Sequence, residues 1–110
     1  DRIMLPVIEA YYTAGDTTTA NSLADRLFTI MDENMAWYLT LDPNFAAPVS
    51  SEMEITHLVM QRIAQSTSLL HGQKELGDKF TARLEEIEEL YNAKLEDIAT
   101  QGRRSSKVRF

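Results

Sequence analysis

The chain has no cysteine, one tryptophan, two histidines, three prolines and four glycines in 110 residues. Without cysteine there is no disulfide framework, no thiolate metal ligand and no thiol nucleophile. That absence leaves the compartment open. So few glycines and prolines argue against a β-sandwich and against a disordered linker. No apolar run approaches the roughly 18 residues that a membrane-spanning helix needs, and no signal-peptide pattern opens the chain. His57 and His71 would stand about 21 Å apart along one helix at 1.5 Å per residue, too far to share a metal ion. Gly-rich phosphate loops, G-x-S-x-G elbows and dinucleotide fingerprints are missing as well. The sequence therefore predicts no catalytic residue, no metal and no cofactor.

What is present favours helix. The residues are 44% hydrophobic and 25% charged, and Ala, Leu, Glu and Met are frequent. The length suits one domain with a real core. The net charge of −6 hides an asymmetry. Arg103, Arg104, Lys107 and Arg109 fall in the last eight positions, which contain no acid. Residues 1–102 then hold seven basic residues against seventeen acidic ones, a balance of −10. A body this acidic repels phosphate backbones, so no nucleic-acid partner is expected. The organisation expected is a single helical-hairpin domain over 1–102, followed by a basic, disordered tail over 103–110. That tail either touches anionic lipid or simply keeps the end soluble. Asp1 already lies inside a helical pattern, which reads as a piece or a processed form of a longer protein.

Four helices are expected. The first covers about Ile3 to Ala14, with Ile3, Met4, Val7, Ile8 and Tyr11 on its apolar face and Pro6 in its first turn. Gly15 is a natural helix-ending residue free to take a positive φ, and Asp16 or Thr17 can cap the next helix. The second covers about Thr18 to Leu41, with Ala20, Leu23, Leu27, Ile30, Met31, Met35, Tyr38 and Leu39 as its stripe. Asp42-Pro43 ends it, and a loop runs through Pro48. Ser51 and Glu54 have the form of a capping box for a third helix, which reaches His71 with Ile55, Leu58, Val59, Ile63, Leu69 and Leu70 inward. Gly72 closes it. The fourth runs from Lys74 to about Thr100 on Leu76, Phe80, Leu84, Ile87, Tyr91, Leu95 and Ile98.

An internal echo links the halves. Ala20, Leu23, Arg26, Leu27 and Ile30 align with Gly77, Phe80, Arg83, Leu84 and Ile87, and each set begins five residues after a helix-ending glycine. Two tandem helix–glycine–helix units follow. Gly77 within a helix costs about 1 kcal/mol relative to alanine, which makes sense if the preceding helix packs closely against it.

The polar and aromatic residues have bland readings beside sharper ones. His57 and His71 suit ordinary surface or helix-end positions, where Glu54 is spaced to pair with His57, and Glu85, Glu88 and Glu89 form a solvated face whose ordinary carboxylates make poor general acids. Glu75 and Lys79 suit an exposed i,i+4 pair. Tyr11 and Tyr38 follow the stripes into the core. Tyr12 and Trp37 sit at the stripe edges and are the candidate partner surface, where they would line a sugar or peptide site. Met4, Met31, Met35, Met53 and Met60 either fill the core or make an adaptable partner surface.

Ala10-Tyr11-Tyr12-x-x-Gly15-Asp16-x-x-x-Ala20 resembles the centre of a tetratricopeptide repeat, closely over eleven residues and loosely over residues 3–31. The resemblance implies that Tyr11, Gly15 and Ala20, with Gly72 and Gly77 in the second unit, interlock antiparallel helices. Ile8 stands where the repeat has a small residue, the second helix overruns, and Ser68-Leu69 replace the aromatic pair, so a regular peptide-binding superhelix is not implied. Met4-Leu5-Pro6-x-Ile8-x-Ala10-Tyr11-Tyr12-x-x-Gly15-Asp16, Trp37-Tyr38-Leu39 and Gly72-Gln73-Lys74-Glu75-Leu76 give a wider resemblance. They are similar to the C-terminal region of multi-spanning membrane proteins of Bacteroidetes, a family of unknown function similar to protein O-mannosyltransferases. This implies a non-catalytic domain on the periplasmic face of the inner membrane, tethered to a glycosyltransferase-like part.

The expectation is thus an all-α fold of four helices in two antiparallel hairpins, packed as a tetratricopeptide-like right-handed stack or a distorted bundle. Its leading role is an accessory domain that positions a protein partner or acceptor. The alternative is a free-standing, cytoplasmic tetratricopeptide-like adaptor for a peptide or protein, and a less favoured one is an enzyme built on acidic residues.

Overall fold

The computed structural model describes residues 4–108, with side chains as far as Gly102. The fold is all-α. Helices α1 (Met4–Thr13) and α2 (Thr17–Thr40) are followed by the short α3 (Pro43–Ala46) and a 3₁₀ turn, Ala47–Val49. Then come α4 (Ser50–Gln65), a π-helical turn over Ser66–Leu70, and α5 (Lys74–Val108). α2 is the centre of the molecule and packs against α1, α4 and α5. Two tight turns make the hairpins, α1 with α2 and α4 with α5.

Both turns use glycine in the left-handed region, Gly15 at φ 85° and Gly72 at φ 67°. At the first, Gly15 N–H donates to Tyr12 O at 3.0 Å and Asp16 N–H to Tyr11 O at 3.0 Å, the Schellman pattern. Asp16 then caps α2 by accepting from Thr19 N–H at 3.1 Å. The second turn is wider. His71 N–H reaches Ser66 O at 3.1 Å and Gln73 N–H reaches Thr67 O at 2.9 Å, because the preceding helix has loosened into a π turn.

The connection expected as a loop before Pro48 is helical. Asp42 caps α3 by accepting from Asn44 N–H at 3.0 Å, with Pro43 in the first position, where its missing N–H costs nothing. The capping box at Ser51 and Glu54 is not formed. α4 starts at Ser50, one residue earlier, and Ser51 Oγ bonds Glu52 Oε2 at 3.2 Å instead. Ser50 Oγ is used in the interior, 2.9 Å from Tyr38 Oη and 3.0 Å from Ala46 O.

The core contains Ile8, Tyr12, Ala20, Leu27, Phe28, Met31, Met35, Tyr38, Met60, Ile63, Phe80, Leu84, Ile87 and Tyr91. Phe28 and Phe80 stack with centroids 4.3 Å apart, joining α2 to α5. The expected stripe of α5 holds, except that Leu95 is partly open. Those of α1 and α4 are rotated. Ile8 and Tyr12 point inward on α1, while Val7 and Tyr11 are exposed. On α4, Met53, Thr56, Met60, Ile63 and Ala64 are buried while Ile55 and Leu58 are exposed, as are Leu69 and Leu70 in the π turn that follows. Ile30 on α2 is also exposed, because α1 is the shorter helix and its ten residues leave the C-terminal half of α2 uncovered on that side. α5 passes the expected end near Thr100 and continues to Val108, about 52 Å long at 1.5 Å per residue. The expected basic tail falls on residues whose side chains lie outside the described set.

Candidate functional site

Two places collect polar and aromatic side chains, and a third surface collects apolar ones. The first joins the two hairpins at their turns. Tyr12, expected on a partner surface, is only 7% exposed, and its ring stacks on His71 at 4.3 Å with 11° between the planes. Its hydroxyl donates to Asn21 Oδ1 at 2.5 Å. Asn21 Nδ2 donates to Gln73 Oε1 at 3.0 Å, and Gln73 Nε2 to His71 O at 3.3 Å. Burial pushes the Tyr12 phenol up, partly opposed by a hydrogen bond with Thr67. Tyr12 is therefore a clasp between hairpins. The π turn explains why: it brings His71 onto the α1 side and sends Leu69 and Leu70 to solvent, 74% and 70% exposed. A depression of about 450 Å³ lies beside the clasp, bounded by Asn21, Gln73, Lys74, Glu75, Leu76 and Lys79.

The second place is the seam between α4 and α5. His57 does not pair with Glu54, one helical turn away. Its Nε2 lies 3.2 Å from Glu88 Oε1 on α5, an oxygen that also accepts from Gln61 Nε2 at 3.2 Å. The His57 ring lies 5.1 Å from that of Tyr91, which in turn lies 6.1 Å from Tyr38. Burial raises the Tyr91 phenol above the ordinary range, and Tyr38 and the Glu54 carboxylate add to the shift. Glu88 is thus a tertiary contact, while Glu85 and Glu89 stay on the open face. The seam is an open groove.

The hairpins are tied by ions that local spacing did not show. Arg83 grips Asp32 of α2 with both ends, Nε to Oδ2 at 2.9 Å and Nη2 to Oδ1 at 3.0 Å, and also reaches Glu86. The hydrogen bond to Asp32 raises the Arg83 guanidinium still further. Lys79 takes Asp25 at 2.9 Å, so it does not form the expected pair with Glu75. Lys94 Nζ caps the end of α2 at Leu41 O.

The third surface is the outward side of the α1/α2 hairpin. Trp37, placed by its spacing at the stripe edge, is 52% exposed, and Ile30 is 50% exposed. Tyr11, placed in the core by its spacing, is 39% exposed and takes the open position expected for Tyr12. Ala20 is fully buried in α2 and Gly77 lies directly against Ser68, as the hairpin pattern requires. Met31, Met35, Met53 and Met60 are buried and Met4 is partly so, which makes the methionines core filling rather than a partner surface.

Among the described residues, no three His, Asp or Glu side chains gather in a way that could hold a metal ion. No described helix is long and apolar enough to cross a membrane. The chain matches no family model, no curated protein and no solved structure. The pairings of Asn21 with Gln73, of Asp32 with Arg83 and of Glu88 with His57 span 52, 51 and 31 residues, beyond the reach of local spacing.

Proposed function

We propose that this chain is a non-catalytic interaction domain that docks a helical protein partner against the outward side of its α1/α2 hairpin. One observation carries this reading. Every exposed residue of α1 from Pro6 to Thr13 is uncharged: Pro6, Val7, Ala10, Tyr11 and Thr13. The only charge on that helix, Glu9, turns toward Arg62 of α4 at 3.8 Å. Val7 and Tyr11 stand two residues either side of Glu9, about 200° around the helix, so they face away from the rest of the molecule. Ile30 stands about 200° around α2 from Asp32, which faces α5, and extends the same side with Trp37. The uncharged face of α1, continued on α2 by Ile30 and Trp37 with the charged Arg26 and Glu33 beside them, is a surface suited to burial against a partner.

The resemblance of Ala10–Ala20 to a tetratricopeptide repeat suits this surface, since repeat units bury such faces against neighbouring layers. With the wider resemblance, the preferred setting is an extracytoplasmic accessory domain of a membrane glycosyltransferase-like protein. There it holds a partner or an acceptor in place and leaves the chemistry to the membrane part. The open Trp37 also suits a free-standing adaptor that takes a peptide on the same side.

A photoreactive amino acid placed at Tyr11 or Trp37 of the protein in its native cells tests the surface. Adducts at both positions, and none at Glu85 on α5, are expected. Adducts at Glu85 alone would overturn the reading. Hydrophobic spans encoded upstream of Asp1 would favour the membrane setting, and further helical hairpins there the adaptor.

A further inference from the structure

Among the described residues, the basic side chains of α4 and α5 turn away from the seam between those two helices. Arg62 faces Glu9 on α1, Lys79 and Arg83 face Asp25 and Asp32 on α2, and Lys94 caps α2. Lys74 lies in the depression at the hairpin turns. The seam is left with two adjoining depressions of about 650 and 560 Å³ that meet at Gln61. No lysine or arginine among the described residues lines either one. Glu54 lines the first directly, and Glu88 stands behind His57, its side chain 40% exposed. Leu58 and Leu95 are 56% and 37% exposed in the same groove. Carboxylates beside exposed leucines complement a cationic segment that also carries apolar surface.

The chain contains one such segment. Residues 103–109 hold Arg103, Arg104, Lys107 and Arg109 with Val108 and no acid, against the −10 balance of residues 1–102. Because α5 is one continuous helix from Lys74 to Val108, the backbone of residues 103–108 runs away from its own seam. We propose that the α4/α5 seam receives the basic segment 103–109 of a second copy, in a reciprocal exchange that makes a two-fold dimer. A two-fold contact pairs the same surface with itself, so the two α5 helices run antiparallel past each other. With the crossing near Ala99, residues 103 to 107 of one copy lie beside residues 95 to 91 of the other. This register sets the cationic stretch of sequence alongside the part of the seam that carries Leu95, Tyr91 and Glu54. Elsewhere the acidic bodies repel, so attraction is confined to this contact and weakens with salt.

Sedimentation equilibrium of the full chain tests the exchange at about 0.05 M and about 0.5 M salt. A dimer whose Kd weakens by at least tenfold at the higher salt is expected. Glu54→Lys and the double variant Arg104→Glu/Lys107→Glu should each be monomeric with unchanged helical circular dichroism. Mixed in equal amounts, the two should form a heterodimer, because each basic or acidic segment meets an opposite seam. A monomer at low salt, a dimer indifferent to Glu54→Lys, or no recovery on mixing would overturn the proposal. Binding of an added arginine-rich peptide by a chain that stays monomeric would assign the seam to a foreign partner and overturn it too.

Discussion

Gly77 and Ser68 stand so close that a Cβ on the glycine would lie 2.1 Å from the Ser68 Cβ and 2.8 Å from its Cα. Ser68 belongs to the π turn before the hairpin, so backbone must move if Gly77 grows. Gly77→Ala gains about 1 kcal/mol of helix propensity, yet overpacking at such a crossing typically costs about 1–3 kcal/mol. Net destabilisation in urea melts is expected. Gly102→Ala is the control: it is exposed in α5 with nothing within 4 Å, and should stabilise by roughly 0.5–1 kcal/mol. A Gly77→Ala protein that behaves like Gly102→Ala would show the α4/α5 crossing to be drawn wrongly.

The clasp at the turns yields a graded series. Tyr12→Phe keeps the stack on His71 and removes the hydroxyl bonded to Asn21, at a cost of about 0.5–1.5 kcal/mol. Tyr12→Ala also removes a buried ring and should cost about 3–5 kcal/mol. A double-mutant cycle on Asn21→Ala and Gln73→Ala should give a coupling above about 0.5 kcal/mol. Strictly additive losses would mean the amides do not meet in solution.

Asp16 makes the stability of the first hairpin depend on acid. Hydrogen bonds from the Thr19 hydroxyl and the Thr19 N–H hold its carboxyl below the ordinary value. A lowered folded value means that stabilisation is fully present above the unfolded pKa, about 3.9, and is lost as pH falls through the folded value. The gap in melting temperature between the wild type and Asp16→Ala should therefore be widest near neutrality. It should narrow on acidification below the ordinary carboxylate range. A gap of constant size throughout the acid range would remove Asp16 as a charged cap.

Tyr12 and Tyr91 act at the other end of the pH scale. Burial raises both phenols, so the fold favours their neutral forms. The resulting stability is complete below the unfolded value of about 10 and disappears as pH rises through the folded ones. An ultraviolet absorbance titration should show tyrosinate forming late, with Tyr12→Phe and Tyr91→Phe each removing part of the late fraction. If neither substitution changes the curve, the two rings are not buried as described.

Legibility in the sequence varied from helix to helix for a definite reason. The stripe of α5 was read correctly because charged residues such as Glu85, Glu86 and Glu89 occupy its outer face. On α1 and α4 the periodicity places Ile8 and Ile63 inward, as they are, but also Val7, Tyr11, Ile55 and Leu58, which the structure leaves exposed. Where both sides of a helix are apolar, two rotations have equally good periodicity. The same uncharged side that misled the reading of α1 is the surface proposed for docking.

What the sequence by itself determined is local: helices where the periodicity is strong, turns at Gly15 and Gly72, and a close crossing at Gly77. These follow from backbone preferences and from the lack of a Cβ, which act within a few residues. Only the tertiary structure decided that His71 meets Tyr12, that Glu88 meets His57 and that Arg83 meets Asp32. Those pairings depend on how the two hairpins dock, and, for His71, on the π turn over Ser66–Leu70, which shifts Leu69, Leu70 and His71 in phase relative to α4.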